Sequence, residues 1–324
     1  MGKALTLHED RLFPSDPAQR AVARRLYSEI RDLPIISPHG HTEPRWFAEN
    51  EAFVDPAELF IIPDHYLFRM LYSQGVKLED LGITRVNGGA AAHPSESDGR
   101  TIWRRFAEHY HLFRGTPSRM WLDHALCVVC GIDERLTAES ADRIYDRLSE
   151  RLTRDDMRPR ALFERFGIEV LATTESPLDD LCHHRAIRDS NWGGRVITAF
   201  RPDPVVDPDF EGFRANVEEL GALSGENTHT WDGYLAALAQ RRTFFAEMGA
   251  TSTDHGHPTA ATADLDRGAA ASLYDRILQG RGSPQEHELF RAQVLTEMAR
   301  MSLDDGLVMQ IHPGSFRNHN ALLF

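Results

Sequence analysis

Three cysteines in 324 residues cannot build a disulfide framework, and a chain so poor in them is expected to fold in a reducing cytoplasm. No stretch of the sequence approaches the roughly 20 consecutive apolar residues of a membrane span. At the amino terminus Glu9 and Asp10 follow Lys3 without an apolar run, which fits neither a secretory signal nor a transit peptide. Positive charge is also short: 36 Lys and Arg face 49 Asp and Glu, a formal net charge of −13. That balance argues against a nucleic-acid or anionic-membrane partner, although it leaves room for a local basic pocket. No glycine-rich phosphate loop follows any apolar strand run, so nucleotide binding on an open sheet loses its main support.

What is present is a soluble globular profile, 41% apolar and 26% charged, enough for one large core or two smaller ones. The anomaly is 16 histidines.

Along the chain, Ser15-Asp16-Pro17 caps a helix with apolar Ala21, Val22, Leu26 and Ile30 at helical spacing. The continuous run Leu33 to Ser37 then reads as a buried parallel strand emptying into Pro38-His39-Gly40-His41. From 43 to about 160 only helical patterns recur, with a Gly/Ser-rich break near 87 to 99. Strand runs return at Ile168 to Ala172, Arg195 to Phe200, Ala250 to Thr253 and Leu307 to Ile311, with helices between them. Such alternation predicts a parallel α/β sheet. Each of the five strands delivers polar residues at its C-terminal end: His39 and His41, Thr173 to Glu175, Arg201, Asp254, His312. That is the layout of the catalytic face of a TIM barrel. The expected architecture is a (β/α)8 barrel truncated after its fifth strand, with a barrel domain over 1–42 and 160–324 and a helical insertion over 43–159.

His39 and His41 can turn two imidazoles onto one metal ion, with Gly40 allowing the tight backbone between them. The spacing alone is weak, since His109/His111 and His255/His257 repeat it. The first of those repeats lies in a helical pattern, where i and i+2 diverge. Asp254 follows a β-branched run and suits a ligand or acid/base role; an N-cap or loop carboxylate reads equally well. His312 ends an apolar strand, where an ionisable group is costly unless partnered. Arg201 at a strand end suits bidentate capture of a carboxylate, and Arg317 is a second such clamp or a plain exposed loop residue. Cys127 and Cys130 sit in an apolar helical stretch and read as structural thiols rather than a redox pair.

The segments SPHGHTEPRWFAEN, DPAELFIIPDHYLFRMLYSQGV, LATTESPLDDLCHH, ITAFRPDPVVD, TSTDHGH and LVMQIHPGSFRNHN resemble, in order and across nearly the whole chain, the uronate (glucuronate/galacturonate) isomerase family of the amidohydrolase superfamily. The resemblance implies a barrel of the metal-dependent hydrolase type in a cytoplasmic homo-oligomer. It also implies conversion of D-glucuronate to D-fructuronate, or D-galacturonate to D-tagaturonate, through an enediol. On that basis His39 and His41 would ligate a divalent metal, zinc in the family, and Tyr66, Asp254 and His312 would be catalytic. His65, Arg201 and Arg317 would contact the substrate. The residue types suit the chemistry: C2 deprotonation needs a polarised carbonyl and a proton carrier, and a fixed carboxylate needs an arginine.

The family carries a further metal-ligating Asp after an eighth strand, and no sixth to eighth strand is legible. The polypeptide alone is therefore expected to fold poorly or be inactive, because missing strands leave open edges. Two other readings stand beside the isomerase: a metal-dependent hydrolase using a metal-bound water, and an inactive truncated remnant.

Overall fold

The computed structural model describes residues 3–83, 95–315 and 320. Two compact units divide the chain, one of Met1–Leu33, Asn50–Gly167 and Asn318–Phe324, the other of Pro34–Glu49 and Ile168–Arg317.

The second unit is built on a five-stranded parallel sheet: β1 (Ile35–Ser37), β2 (Ile168–Glu175), β3 (Arg195–Phe200), β4 (Ser252–His255) and β5 (Val308–Ile311), neighbours in that order. Runs of β-branched and apolar residues favour β1, β2, β3 and β5, whereas β4 (Ser-Thr-Asp-His) is polar throughout and buried between its neighbours. The intervening helices supply the crossovers that parallel pairing requires. The β2/β3 ladder runs unbroken from Val170↔Arg195 to Glu175↔Phe200. Strand β2 therefore extends through Thr173 to Glu175, and Asp254 lies inside β4, one to three residues further than the apolar runs ending at Ala172 and Thr253 predict. Thr173 and Glu175 bond within the sheet, to Ile197 O and Thr198 Oγ1, whereas Thr174 and Asp254 reach His41 after β1 and His312 after β5. The sheet curls until its two outer strands meet at their C-terminal ends, where Gln310 Nε2 of β5 donates to the Pro38 carbonyl after β1 at 2.9 Å. The result is a parallel half-barrel. Its outer strands leave Ile36 and Val308 63% and 65% exposed, unlike the buried β2 and β3.

Helices Phe213–Ser224, Trp231–Glu247, Arg267–Leu278 and Pro284–Asp305 pack with the sheet. The core is aromatic: Tyr234 stacks on Tyr274 at 4.7 Å and Tyr274 on Phe290 at 5.8 Å. Each such ring contributes about 2–3 kcal/mol by leaving water, provided its polar tip is satisfied. Tyr234 donates to Val205 O at 2.8 Å and Tyr274 to Thr228 O at 2.6 Å. The last helix starts at Ser283 with a capping box to Glu286 and Pro284 in its first turn, and ends at Gly306 with φ +77°; both ends follow from local chemistry.

The first unit is helical, with Trp103, Phe106, Tyr110 and Phe113 at its centre. Residues 1–33, grouped on sequence with the strands, belong here: Leu5 is buried in this core, and its amide donates to Asp133 O at 2.7 Å. The apolar positions of helix Pro17–Ile30 are exposed, Leu26 by 61%. Helix Pro117–His124 runs into a π-turn at Ala125–Val129, which carries Cys127 toward Cys130, where burial pushes the thiol up to about 11. Among the described residues, no helix is long and apolar enough to cross a membrane.

Candidate active site

The loop after β1 lies against the sheet because Gly40 has no side chain: a Cβ there would come within 3.0 Å of Ala172 O. His39 and His41 flank it, and hydrogen bonds fix the tautomer of each. Gln310 Nε2 faces the Pro38 carbonyl and Ser252 Oγ at 2.9 and 2.8 Å. A carbonyl only accepts, so the amide orientation follows and Gln310 Oε1 must accept from His39 Nδ1, 3.0 Å away. The Thr174 hydroxyl likewise donates to Gly40 O at 3.4 Å, leaving its oxygen to accept from His41 Nδ1 at 2.9 Å.

Both Nε2 atoms then carry lone pairs, and they face each other at 3.3 Å. Two acceptors so placed repel unless a cation lies between them. A tetrahedral ion with bonds of about 2.0–2.1 Å sets its nitrogen ligands about 3.3 Å apart, and anchoring the far nitrogen is how proteins orient ligating histidines. Burial, and next the Arg201 charge, lower the His41 pKa, which keeps the ring neutral as ligation requires. The two histidines fit a divalent metal.

Asp254 is wholly buried beside them. Its Oδ1 accepts a short bond from His312 Nε2 and lies 3.6 Å from His39 Nδ1. Arg201 Nη1 is 3.2 Å from its Oδ2. Among the described residues, His39, Asp254 and His312 form a cluster whose ligand atoms all lie within 4.8 Å of one another. Arg201 is steadied by Asp203, which accepts from Nε at 3.0 Å and from the Gly256 amide at 3.0 Å. Gly256 permits this approach, since a Cβ would sit 2.6 Å from Asp203 Oδ2. Thus the ends of β1, β3, β4 and β5 bring His39, His41, Arg201, Asp254 and His312 together. A buried carboxylate here is held by a guanidinium and an imidazole, the pairing that burial of charge demands.

Tyr66 and His65 open helix His65–Ser73 of the other unit, with ring centroids 4.3 Å apart and Asp64 capping the helix. Arg317 lies outside the described residues. His255 and His257 are buried, their ring centroids 5.7 Å apart; burial drives the His255 pKa down to about 3. They do not join the cluster. Sequence reasoning gave no role to Gln310, Asp203 or Ser252. The signal for Gln310 was a lone amide in the apolar run Val-Met-Gln-Ile.

Beside His41 lies a cavity of about 360 Å³, walled by β2 residues Thr174 and Glu175 and by Glu43, Ser176, Asp179 and His183. Glu175, 8% exposed, accepts a short bond from Thr198 Oγ1. Burial raises its carboxyl to about 7, helped by the Asp179 and Glu43 charges.

Comparison with known proteins decides the family. The glucuronate isomerase family profile matches residues 14–324. The chain belongs to the glucuronate isomerase family. Curated family members named uronate isomerase include one from Rhizorhabdus wittichii, 64% identical over 99% of this chain and 66% of its own length, and one from Mesorhizobium japonicum, 62% identical over 97% and 66%. The solved glucuronate isomerase from Caulobacter crescentus superposes with a TM-score of 0.95 at 55% identity, covering 99% of this chain and 66% of that one. A uronate isomerase structure from Thermotoga maritima gives a TM-score of 0.88 at 27% identity. This glucuronate isomerase family chain spans about two thirds of the length of the relatives it matches.

Proposed function

We propose that the site at the strand ends is a hexuronate isomerase centre, interconverting D-glucuronate with D-fructuronate, or D-galacturonate with D-tagaturonate. The observation that carries this reading is the convergence of Arg201, the Asp254–His312 pair and two lone-pair-bearing Nε2 atoms at the ends of one parallel sheet. A divalent ion, zinc on the family resemblance, held by His39 and His41 with Asp254 alongside, would polarise the carbonyl as negative charge develops on its oxygen.

The protein's own residues supply the rest. Arg201, steadied by Asp203, offers a guanidinium to the substrate carboxylate and fixes the sugar relative to the strand ends. His312, with Nε2–H committed to Asp254, keeps Nδ1 to take the C2 proton and return it to C1. Asp254 stabilises the imidazolium formed in between. Tyr66 is assigned a second acid/base role, and His65 and Arg317 substrate contacts, on the family motifs that contain them.

The test is to load the purified chain with zinc, confirm stoichiometric metal by elemental analysis, and follow D-glucuronate in deuterium oxide by NMR. Ketose formation with solvent exchange at C2 is expected, and loss of both in His39→Ala and His312→Ala. A metal-loaded chain that gives neither ketose nor exchange overturns the proposal.

A further inference from the structure

The described residues lining the cavity beside His41 include three carboxyls and no guanidinium, whereas the neighbouring part of the site presents Arg201, paired with Asp203 and Asp254. The cavity wall combines Glu43, Asp179 and the buried carboxyl of Glu175 with the side chains of Ser176 and His183. Glu175 is held by Thr198 and lies 3.7 Å from the buried His184. The cavity opens next to His41, whose ring is fixed from the same strand by Thr174 at 2.9 Å. Its volume, about 360 Å³, falls in the range of small-molecule pockets.

We propose that this cavity is a subsite for the uncharged, hydroxylated part of a sugar acid, and that Glu43 and Asp179 make it reject a second carboxylate. The inference rests on the hexuronate reading and adds to it a basis for specificity. Carboxylates are acceptors with several lone-pair directions, and sugar hydroxyls are the donors that complement them. Glu175, pushed toward the neutral form by burial, can both donate to and accept from a hydroxyl. A carboxylate entering the same space would meet two like charges, whereas at Arg201 it meets a guanidinium. The substrate is thereby oriented by sign: its acid end is drawn to one side of the strand ends and its polyol segment to the other. Like-charge juxtaposition of this kind selects against wrong ligands more than it strengthens the right one.

The test compares D-glucuronate with D-glucarate, which carries a carboxylate at each end, by titration calorimetry on the purified full chain. Replacing both wall charges (Glu43→Gln with Asp179→Asn) should raise the glucarate-to-glucuronate affinity ratio about tenfold, with the gain shrinking at high salt. If the double variant does not fold, Asp179→Asn alone carries the same test with a smaller rise. A ratio that stays within twofold of the parent in a folded variant overturns the subsite while leaving the isomerase reading intact. A parent chain that binds neither sugar acid overturns both.

Discussion

Gln310 on β5 holds His39 after β1, residues 271 apart in the chain, through a 3.0 Å contact between Oε1 and Nδ1. The same amide closes the half-barrel by donating to Pro38 O and Ser252 Oγ. One side chain therefore joins the outer strands and sets the tautomer of a candidate metal ligand. Gln310→Leu keeps a strand-compatible residue but leaves those partners unpaired, a destabilisation of about 1–3 kcal/mol. Metal affinity should fall about 10- to 100-fold, as expected when the group orienting a ligating histidine is lost. Competition with a chromophoric chelator measures it, and an unchanged affinity would show that His39 is oriented without the amide.

Glu175 makes part of the stability pH-dependent. Its carboxyl, raised from the usual 4.5 to about 7 by burial, keeps its proton in the fold after the unfolded chain has lost it. The folded state binds more protons between those values, so this group lowers stability as pH rises through the window, by about 3 kcal/mol in all. Glu175→Gln cannot lose a proton there and should be more stable than the parent at pH 8 relative to pH 5, measured by urea denaturation at both. Equal pH responses in the two proteins would contradict this.

The strands were legible because apolar, β-branched runs such as Arg195 to Phe200 end in polar residues, and the first histidine pair because it follows such a run. Less legible was whatever depends on curvature or on contacts distant in sequence. Gln310 reads as a polar interruption of a strand until the sheet curls and brings β5 to the loop after β1. Asp203, two residues beyond Arg201, reads as a loop acid until its contacts with Gly256 and the guanidinium are known. The apolar spacing of helix Pro17–Ile30 predicts a buried face, yet those residues are exposed, because periodicity reports the existence of a face and not what covers it.

His184 and His255 act in the opposite sense from Glu175. Burial lowers their pKa values from the usual 6.5 to about 4 and about 3, so both stay neutral in the fold while the unfolded chain takes up protons below pH 6.5. Their contribution is complete above that pH and is lost as pH falls toward the folded values. Between pH 6.5 and 4.5, two protons favouring the unfolded chain are offset by one favouring the fold at Glu175. These three groups together predict a loss of about 1.4 kcal/mol per pH unit on acidification. His184→Gln should reduce the slope in that window by about 1.4 kcal/mol per pH unit, whereas Glu175→Gln should increase it by about as much. Denaturation curves at half-unit pH intervals distinguish the two, and a His184→Gln slope equal to the parent's would remove His184 from the acid response.

Arg242 offers a test of how the half-barrel's helices are fixed. It is fully buried on helix Trp231–Glu247, and it forks onto Asp305 at 2.6 and 2.9 Å with a further bond to Ser302 Oγ at 2.9 Å, at the end of helix Pro284–Asp305. Removing one partner strands a charge out of water, whereas replacing both with apolar groups removes the desolvation cost together with the attraction. Asp305→Leu alone should therefore cost about 3–5 kcal/mol and Arg242→Met somewhat less, because the acid is the more exposed partner, 23% against 1%. The double replacement should recover most of the loss from Asp305→Leu. A double-mutant cycle by urea denaturation reads the coupling directly, and additive single losses would mean that the pair is not what locks the two helices together.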